Sequence, residues 1–132
     1  MYTMMQVCRE LDMTYQTLKY YCNEGLIPHV KRDSNNRRVF DDRDVKWIKD
    51  LTCLKKCGMS IQEMKAYLEL CLQGAETILP RKEMLAKKQE ALRLSIKELE
   101  ASVAYIDWKQ RFYDEVLSGN RPYVSNLIRA ED

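Results

Sequence analysis

Four basic side chains stand within eight consecutive positions of the sequence, and side chains of this kind can bind phosphate groups. They are Lys31, Arg32, Arg37 and Arg38. The residues between the two pairs, 33–36, are Asp-Ser-Asn-Asn, which favour a turn because they bond to nearby backbone groups. Residues 30–40 therefore predict a two-stranded hairpin with positive side chains on both strands, which we name the wing.

A helix-turn-helix is predicted before the wing. Thr3 and Gln6 have the spacing of a capping box and predict the start of a first helix. Thr14 can cap a second helix over about residues 14–24, which we name the recognition helix. In DNA-binding proteins with this motif, the second helix lies in the major groove, and a wing beside it contacts the DNA backbone.

Some side chains of the recognition helix are predicted to contact bases, and others to contact phosphates. Its predicted DNA contacts are Thr14, Tyr15, Gln16, Thr17, Lys19, Tyr20 and Tyr21. Tyr15 and Gln16 are the candidates for base contacts, because they start the helix and a glutamine can pair with an adenine edge. Lys19 and a tyrosine hydroxyl suit phosphates one turn later. Because adjacent helix positions diverge by about 100°, at least one of Tyr20 and Tyr21 belongs to the core.

Two further helices complete the predicted first domain, residues 1–74. One covers about 41–56 with Asp41 as its cap, and the other covers about 60–73 with Ser60 as its cap. The predicted fold is mainly α: a winged helix-turn-helix DNA-binding domain followed by a long antiparallel coiled-coil dimerisation helix.

That long helix is predicted over residues 75–118, because only Pro80 interrupts the pattern and proline is tolerated in a first turn. Its apolar residues recur as in the heptads of a coiled coil, and we name them the seam. The seam comprises Ile78, Leu85, Leu92, Ile96, Leu99, Val103 and Ile106. Gln89 and Gln110, two polar residues that interrupt the heptads, are symmetric about a point just after Leu99, and so are Ile96 and Val103. This near-palindrome favours antiparallel pairing with a second copy and predicts a homodimer. Packing on the first domain of the same chain is the alternative, and residues 119–132 form a C-terminal tail.

Composition excludes several classes of protein. No run approaches the roughly 18 apolar residues that a membrane span needs, and the N-terminus lacks a signal peptide, so a cytoplasmic protein without a membrane partner is predicted. The only histidine, His29, has no cysteine or carboxylate placed for a catalytic triad. Neither an enzyme, nor a cofactor, nor a metal site is predicted.

Five cysteines occur without a C-x-x-C pair, which argues against a zinc knuckle and a disulfide framework. Cys53 and Cys57 fall four residues apart on the less apolar face of the third predicted helix, and they are candidates for a reactive sensor. Lys49 and Lys56 lie about one turn from Cys53 and favour its thiolate, whereas Asp50 opposes it. Packing is the alternative role for both cysteines. It is the favoured role of the other three, Cys8, Cys22 and Cys71.

Three stretches together resemble the MerR family of transcriptional regulators: "YTMMQVCRELDMTYQTLKYYCNEGLI", "NNRRVFDDRDVKWI" and "LKKCGMSIQEMKAYL". Order, spacing and residue types match over residues 2–72, and the long helix corresponds to the dimerisation helix of that family. The resemblance implies a homodimer that binds a pseudo-palindromic promoter element in double-stranded DNA and distorts it for RNA polymerase. Arg38 stands at the family's arginine position. Lys19 replaces a usual arginine and Arg37 a usual tyrosine, which puts the usual aromatic contact of the wing in doubt.

The segments "CLKKCGMS", "LELCLQGAETI" and "WKQRFYDEVL" resemble the NmlR/AdhR branch of the family. This resemblance implies a response to carbonyl electrophiles or redox stress through a cysteine on the third helix, for which Cys53 or Cys57 is the match. The alternatives are a regulator that ignores ligands, a protein–protein adaptor, and a regulator that senses a small ligand at an aromatic cluster. That cluster comprises Tyr105, Trp108, Phe112 and Tyr113.

Overall fold

The structure is a computed structural model that describes residues 1–129 of the chain, so that residues 130–132 of the predicted tail lie outside the described residues. It is mainly α-helical with one small sheet, as predicted. The elements are β1 (Tyr2–Thr3), α1 (Met4–Leu11), α2 (Tyr15–Asn23), β2 (Lys31–Arg32), β3 (Arg38–Phe40), α3 (Asp42–Lys56), α4 (Ile61–Leu72), a 3₁₀ turn (Ala75–Thr77) and α5 (Ile78–Leu117). Within the described residues, no helix has the length and apolar content needed to cross a membrane.

Side-chain caps begin the short helices at the predicted residues. Thr3 Oγ1 accepts a hydrogen bond from the backbone N–H of Gln6 at 3.2 Å, and Gln6 Oε1 accepts one from the Thr3 N–H at 2.8 Å. Asp41 and Ser60 begin α3 and α4 in the same reciprocal way, and the hydroxyl of Thr14 caps α2. These bonds satisfy backbone donors that lack partners within a helix, so local sequence determines where the helices start.

The sheet has the antiparallel strand order β1–β3–β2. The prediction of a two-stranded hairpin is therefore incomplete, because β1 adds a third strand and ties the N-terminus to the wing. One carboxylate oxygen of Asp33 accepts hydrogen bonds from the backbone N–H groups of Asn35 and Arg37, both at 2.9 Å, and so stabilises the turn. Asn36 has a left-handed φ of 60°, which asparagine tolerates.

One apolar core joins α1, α2, the base of the wing, α3 and α4. Its largest fully buried side chains are Val7, Leu18, Leu26, Phe40, Ile48, Leu51, Met59 and Met64. Phe40 is the last residue of β3, so it anchors the wing to the helices. Trp47 Nε1 donates a hydrogen bond to the carbonyl of Leu26 at 2.7 Å, which ties α3 to the loop after α2. The same core therefore positions the recognition helix and the wing.

A hydrogen-bonded junction, which we name the elbow, joins α4 to α5. Thr77 Oγ1 lies within hydrogen-bonding distance of the carbonyls of Leu70 and Gly74, the second at 3.0 Å. Arg81 Nε donates to Thr77 Oγ1 at 3.0 Å, and its Nη2 donates to the Gly74 carbonyl. Gly74 has a φ of 86°, a left-handed value that glycine adopts without steric cost. These contacts fix the direction in which α5 leaves α4.

The chain divides into two compact units, Met1–Glu90 and Ala91–Asp132. The first holds the winged helix-turn-helix, the elbow and the start of α5, whereas the predicted boundary at residue 74 placed all of α5 in the second domain. In the second unit, Arg121 Nε forms an ion pair with Glu115 Oε2 at 2.7 Å. The Arg121 guanidinium also lies 5.4 Å from the ring centre of Phe112, so the residues after α5 pack back on its last turns.

All seven residues of the seam are exposed to solvent on the single chain. Their exposed fractions run from 38% at Leu85 to 68% at Val103, and no residue of α5 is fully buried. A row of exposed apolar side chains of this length on a helix marks an interaction surface, because soluble monomers rarely expose large apolar patches.

A row of aromatic side chains lies near the end of α5 in the second unit. Successive ring centres are 6.2 Å apart for Tyr105 and Trp108, 6.1 Å for Trp108 and Phe112, and 5.7 Å for Phe112 and Tyr113. Lys109 Nζ lies 5.7 Å from the Trp108 ring centre and 5.9 Å from that of Tyr113. Two of the rings that could attract a cationic ligand therefore already contact a cation of the chain itself.

Candidate nucleic-acid interface

The start of the recognition helix and the wing line one open groove of about 440 Å³, which we name the wing groove. Its lining includes Tyr15 from α2, Arg32, Arg37 and Arg38 from the wing, and residues 3–5 from the N-terminus. A predicted base-contacting residue and three of the four wing cations therefore lie on one surface. This arrangement allows contact with a base edge and with the neighbouring phosphates at the same time.

A second groove, of about 420 Å³, borders the recognition helix, and we name it the α3 groove. It is lined by Gln16, Thr17, Tyr20, Tyr21, Lys55 and Ile61. Sequence reasoning missed Lys55, because a lysine in the last turn of a helix is already explained by its attraction to the C-terminal carbonyl groups. Only the packing of α3 against α2 brings Lys55 beside the predicted DNA contacts.

Arg38 is bound within the protein. Its Nη2 donates a hydrogen bond to Asn23 Oδ1 at 2.7 Å, and the residue is half-buried. Asn23 is the last residue of α2, so this charge-assisted bond ties β3 to the end of the recognition helix. The arginine that the resemblance favours as a DNA contact therefore also sets the position of the wing.

Lys31 and Arg32 are engaged in stabilising the wing. Lys31 Nζ lies 2.7 Å from Asp41 Oδ2, and this hydrogen-bonded pair is the main reason that the pKa of Asp41 falls from 3.8 to about 2. Arg32 Nη1 donates to the carbonyl of Asn36 at 2.9 Å, across the turn. Since Lys31 and Asp41 are partly exposed, water and salt screen their ion pair. Lys31 can therefore exchange its partner for a phosphate at low cost.

Arg37 is the wing cation with the most available side chain. It is exposed, and within the described residues its guanidinium has no hydrogen-bond or ion-pair partner, although its backbone N–H is bonded to Asp33. Because its charge is not already paired, a phosphate could bind it without breaking an internal contact. The position at which the chain departs from the usual family residue is therefore the best placed for backbone contact.

On the recognition helix, the structure separates the two adjacent tyrosines. Tyr15 and Tyr20 are 44% and 46% exposed, and Gln16 and Lys19 are exposed as well. Tyr21 is only 3% exposed and packs in the core, where burial raises the pKa of its hydroxyl. This burial corrects the assignment of Tyr21 as a DNA contact, and Tyr20 is the tyrosine that faces solvent.

The hydroxyls of the two threonines at the start of α2 are engaged with each other. Thr14 Oγ1 accepts from the backbone N–H of Thr17 at 3.1 Å and lies 2.8 Å from Thr17 Oγ1. Both residues therefore hold the first turn of the recognition helix, in addition to any contact with DNA.

The cysteines fall into two groups. Cys53 and Cys57 are exposed on α3 and at its C-terminal cap. Cys8 is buried and Cys22 is half-buried, and burial raises the pKa of both thiols, which lowers their thiolate fraction. Cys71 is half-buried on α4. In the described part of the chain, no three side chains of His, Cys, Asp or Glu are grouped so that they could hold a metal ion.

Residues 2–71 match the MerR HTH family of regulatory proteins. This match covers more than half of the chain, and it contains every residue that lines the two grooves. The chain belongs to the MerR family. Its helix-turn-helix, wing, α3 and α4 form the MerR domain, and the chain is a MerR-type transcriptional regulator.

Relatives of this MerR chain are regulators of similar length. It is 32% identical over 114 residues to an uncharacterised HTH-type transcriptional regulator of Haemophilus influenzae, a match that covers 86% of this chain and 84% of that one. It is 38% identical over 87 residues to the HTH-type transcriptional regulator AdhR of Bacillus subtilis, covering 66% of this chain and 62% of AdhR.

Solved structures of MerR proteins share the fold. The crystal structure of HiNmlR, a MerR family regulator lacking the sensor domain and bound to promoter DNA, superposes with a TM-score of 0.73 at 31% identity, over 89% of this chain and 93% of that one. A MerR family transcriptional regulator from Bacillus thuringiensis gives a TM-score of 0.71 at 28% identity, over 85% and 98% of the two chains.

Proposed function

We propose that the chain acts as a homodimer on a pseudo-palindromic promoter element, with the recognition helix in the major groove and the wing on the adjacent phosphates. The observation that carries this proposal is the wing groove, because it holds exposed Tyr15 and uncommitted Arg37 on one surface. The similarity to HiNmlR, which is bound to promoter DNA, supports the same mode of binding.

Within this mode, the residues have different tasks. Tyr15 and Gln16 contact base edges at the start of the recognition helix. Lys19 and Tyr20 bind phosphates one turn later, and Lys55 binds a phosphate from the other side of the helix, across the α3 groove. These cations fix the register of the helix on the duplex, while the base contacts supply sequence preference.

The exposed seam supports the homodimer. Two copies of α5 that pair antiparallel would bury their seams against each other, with Leu99 of each copy close to the two-fold axis. Leu99 is 66% exposed on the single chain, so pairing removes most of a large apolar surface from water at this position. The two-fold axis of such a dimer matches the symmetry of a pseudo-palindromic element.

Control of transcription follows from deformation of the DNA. In the cytoplasm, the dimer would bend and untwist the element between its two recognition helices, so that RNA polymerase can use the promoter. The energy of such a deformation depends on base pairs that the protein does not contact, which adds sequence preference. Membership of the MerR family supports this step.

The inducing signal that we propose is an electrophile, such as an aldehyde, or an oxidant that modifies Cys53 or Cys57. The exposure of both thiols supports this assignment, together with the resemblance of the surrounding segments to the NmlR/AdhR branch. A regulator that senses a small planar ligand at the aromatic row is the second candidate. This second candidate is weaker for a cationic ligand, because the ammonium group of Lys109 already lies over two of the rings.

The decisive experiment measures binding to an operator selected from random duplexes by the wild-type protein. For Arg37→Ala we expect roughly tenfold weaker binding, and a slope of log affinity against log salt reduced by about one, because one phosphate contact is lost. Arg111→Ala is the matched control. Arg111 is a 76% exposed arginine on α5, so its removal should leave affinity and slope unchanged.

Two results would count against this function. If neither Arg37→Ala nor Arg38→Ala alters the operator affinity or its salt slope, the wing does not contact DNA. If wild-type binding is insensitive to salt, that result supports the protein–protein adaptor, because phosphate contacts make affinity fall steeply with salt. The inducer is tested separately: Cys53→Ser and Cys57→Ser should each be assayed for induction of the promoter by aldehydes and thiol oxidants. Unchanged induction in both variants excludes these cysteines as the sensor.

A further inference from the structure

The last turn of α3 presents two exposed thiols, Cys53 and Cys57, one helical turn apart. The backbone N–H of Cys57 donates to the carbonyl of Cys53 at 3.1 Å, so the α-helical separation persists to the cap. Gly58, with a φ of 89°, follows and donates to the carbonyl of Lys55 at 3.0 Å. This bonded helix end fixes the backbone beneath both thiols.

The geometry disfavours a direct disulfide between the two thiols. Residues four apart on a helix have Cβ atoms about 5–6 Å apart, whereas a disulfide needs about 3.5–4.5 Å. Closing the bond would therefore unwind the last turn of α3. A single atom inserted between the two sulfurs removes this mismatch, because the sulfurs then need not touch. The pair suits a bridging atom that takes two thiolates.

The number of ligands narrows the choice of bridging atom. A structural zinc ion takes four ligands, and no third side chain of a metal-ligating type is grouped with this pair in the described residues. Trivalent arsenic bonded to one carbon has two remaining positions and prefers sulfur. We propose that Cys53 and Cys57 form a dithiol site that chelates trivalent organoarsenicals. This proposal extends the electrophile response proposed for the same two cysteines. Chelation itself does not depend on that response; only an effect of chelation on transcription rests on the proposed function.

The chemistry needs no oxidant or reductant. With phenylarsine oxide, each thiol forms one As–S bond and gives its proton to the arsenic-bound oxygen, which leaves as water. Arsenic remains trivalent throughout. Attack proceeds through the thiolate, and both thiols are exposed to the reagent.

The other cysteines do not provide an exposed pair, although Cys8 and Cys22 lie close enough to interact electrostatically. Cys8 is buried, and Cys22 and Cys71 are half-buried on two different helices, α2 and α4. Burial limits access of an arsenical to Cys8 and Cys22. An arsenical that reaches Cys71 gains a single As–S bond, which a monothiol in solution displaces readily. Chelation by two thiols on one chain is retained about 10²–10⁴ times more strongly, since the second bond forms within one molecule.

The test uses the reduced full-length chain and one equivalent of phenylarsine oxide, with excess glutathione as the monothiol competitor. Intact mass spectrometry should show one arsenical per chain with loss of two thiol protons, and a small dithiol should remove it. Cys53→Ser and Cys57→Ser should each lower retention at least about 100-fold. Cys71→Ser and Cys22→Ser serve as matched controls and should retain the arsenical as the wild type does.

Retention in both Cys53→Ser and Cys57→Ser, or complete loss of the adduct from the wild type to glutathione, overturns the dithiol site. These results leave the proposed regulator intact, because operator binding is measured without arsenic. Conversely, stoichiometric chelation in a protein whose promoter ignores aldehydes supports the dithiol site and removes only the electrophile response.

Discussion

Leu99→Glu tests the proposed dimer at its centre. In an antiparallel pair of α5 helices, the two copies of this residue approach the two-fold axis, so one substitution places two carboxylates close together. The change also removes two apolar side chains from the paired seams. Leu94 lies five residues earlier on the same helix, about 140° around it, and is 58% exposed. Leu94→Glu therefore provides the same chemical change away from the seam.

The size of the effect follows from the exposed surface. Complete burial of a leucine side chain stabilises by about 1.5–3 kcal/mol, and Leu99 is 66% exposed on the single chain. Pairing therefore contributes about 1–2 kcal/mol for each copy and about 2–4 kcal/mol for each dimer. Loss of this term raises the dissociation constant roughly 30- to 1000-fold, before charge repulsion is added.

Sedimentation equilibrium across a range of protein concentrations measures that constant, and circular dichroism checks that both variants keep their helix content. We expect wild type and Leu94→Glu to be dimers at micromolar concentration and Leu99→Glu to be largely monomeric. Equal dissociation constants for the two variants would refute the seam as the dimer interface. A wild-type chain that remains monomeric at micromolar concentration would refute the dimer altogether.

Three further predictions concern the wing and its anchor. Phe40→Ala should cost about 3–5 kcal/mol in urea unfolding, because the Phe40 side chain is fully buried, and a loss below 1 kcal/mol would contradict its role as the anchor of the wing. The lowered pKa of Asp41 adds stability that is complete above pH 4 and is lost as pH falls toward 2. Asp41→Asn keeps the helix cap but removes the ion pair with Lys31, so its thermal midpoint should fall less than that of the wild type over this range, and parallel curves would contradict the pairing. Asn23→Ala should weaken operator binding, because it removes the bond through which Arg38 ties the wing to α2. The salt slope should stay the same, since no cation is removed. A slope that changes by about one would show that the contact of Arg38 with phosphate depends on Asn23.

The helix starts were predictable from sequence because their causes are local. The capping bonds of Thr3, Asp41 and Ser60 each join residues three apart, so the pattern and the bond coincide along the chain. The strand β1 was not predictable in this way. It has only two residues and no alternation of its own, and it becomes a strand only because β3 pairs with it.

The candidate site was predictable in its membership but not in its internal contacts. Residue types and the helix-turn-helix pattern identified the cations of the wing, yet the bond from Arg38 to Asn23 spans 15 residues and depends on how the sheet packs on α2. Lys55 joined the site only through the packing of α3. Which of two adjacent tyrosines enters the core likewise required the three-dimensional arrangement, and it was Tyr21.

The elbow and the seam together determine how far apart the two DNA-binding domains of the proposed dimer lie. The hydrogen bonds of Thr77 and Arg81 fix how the start of α5 leaves α4, so no flexible linker separates the DNA-binding domain from this helix. In the proposed dimer, the distance between the DNA-binding domains of the two copies then depends on the register in which the two seams pair. A slip of one heptad changes that distance by about 10 Å, at 1.5 Å per residue. That is about three base pairs at 3.4 Å each, so in the proposed dimer the heptad pattern of α5 would set the spacing of the two operator half-sites.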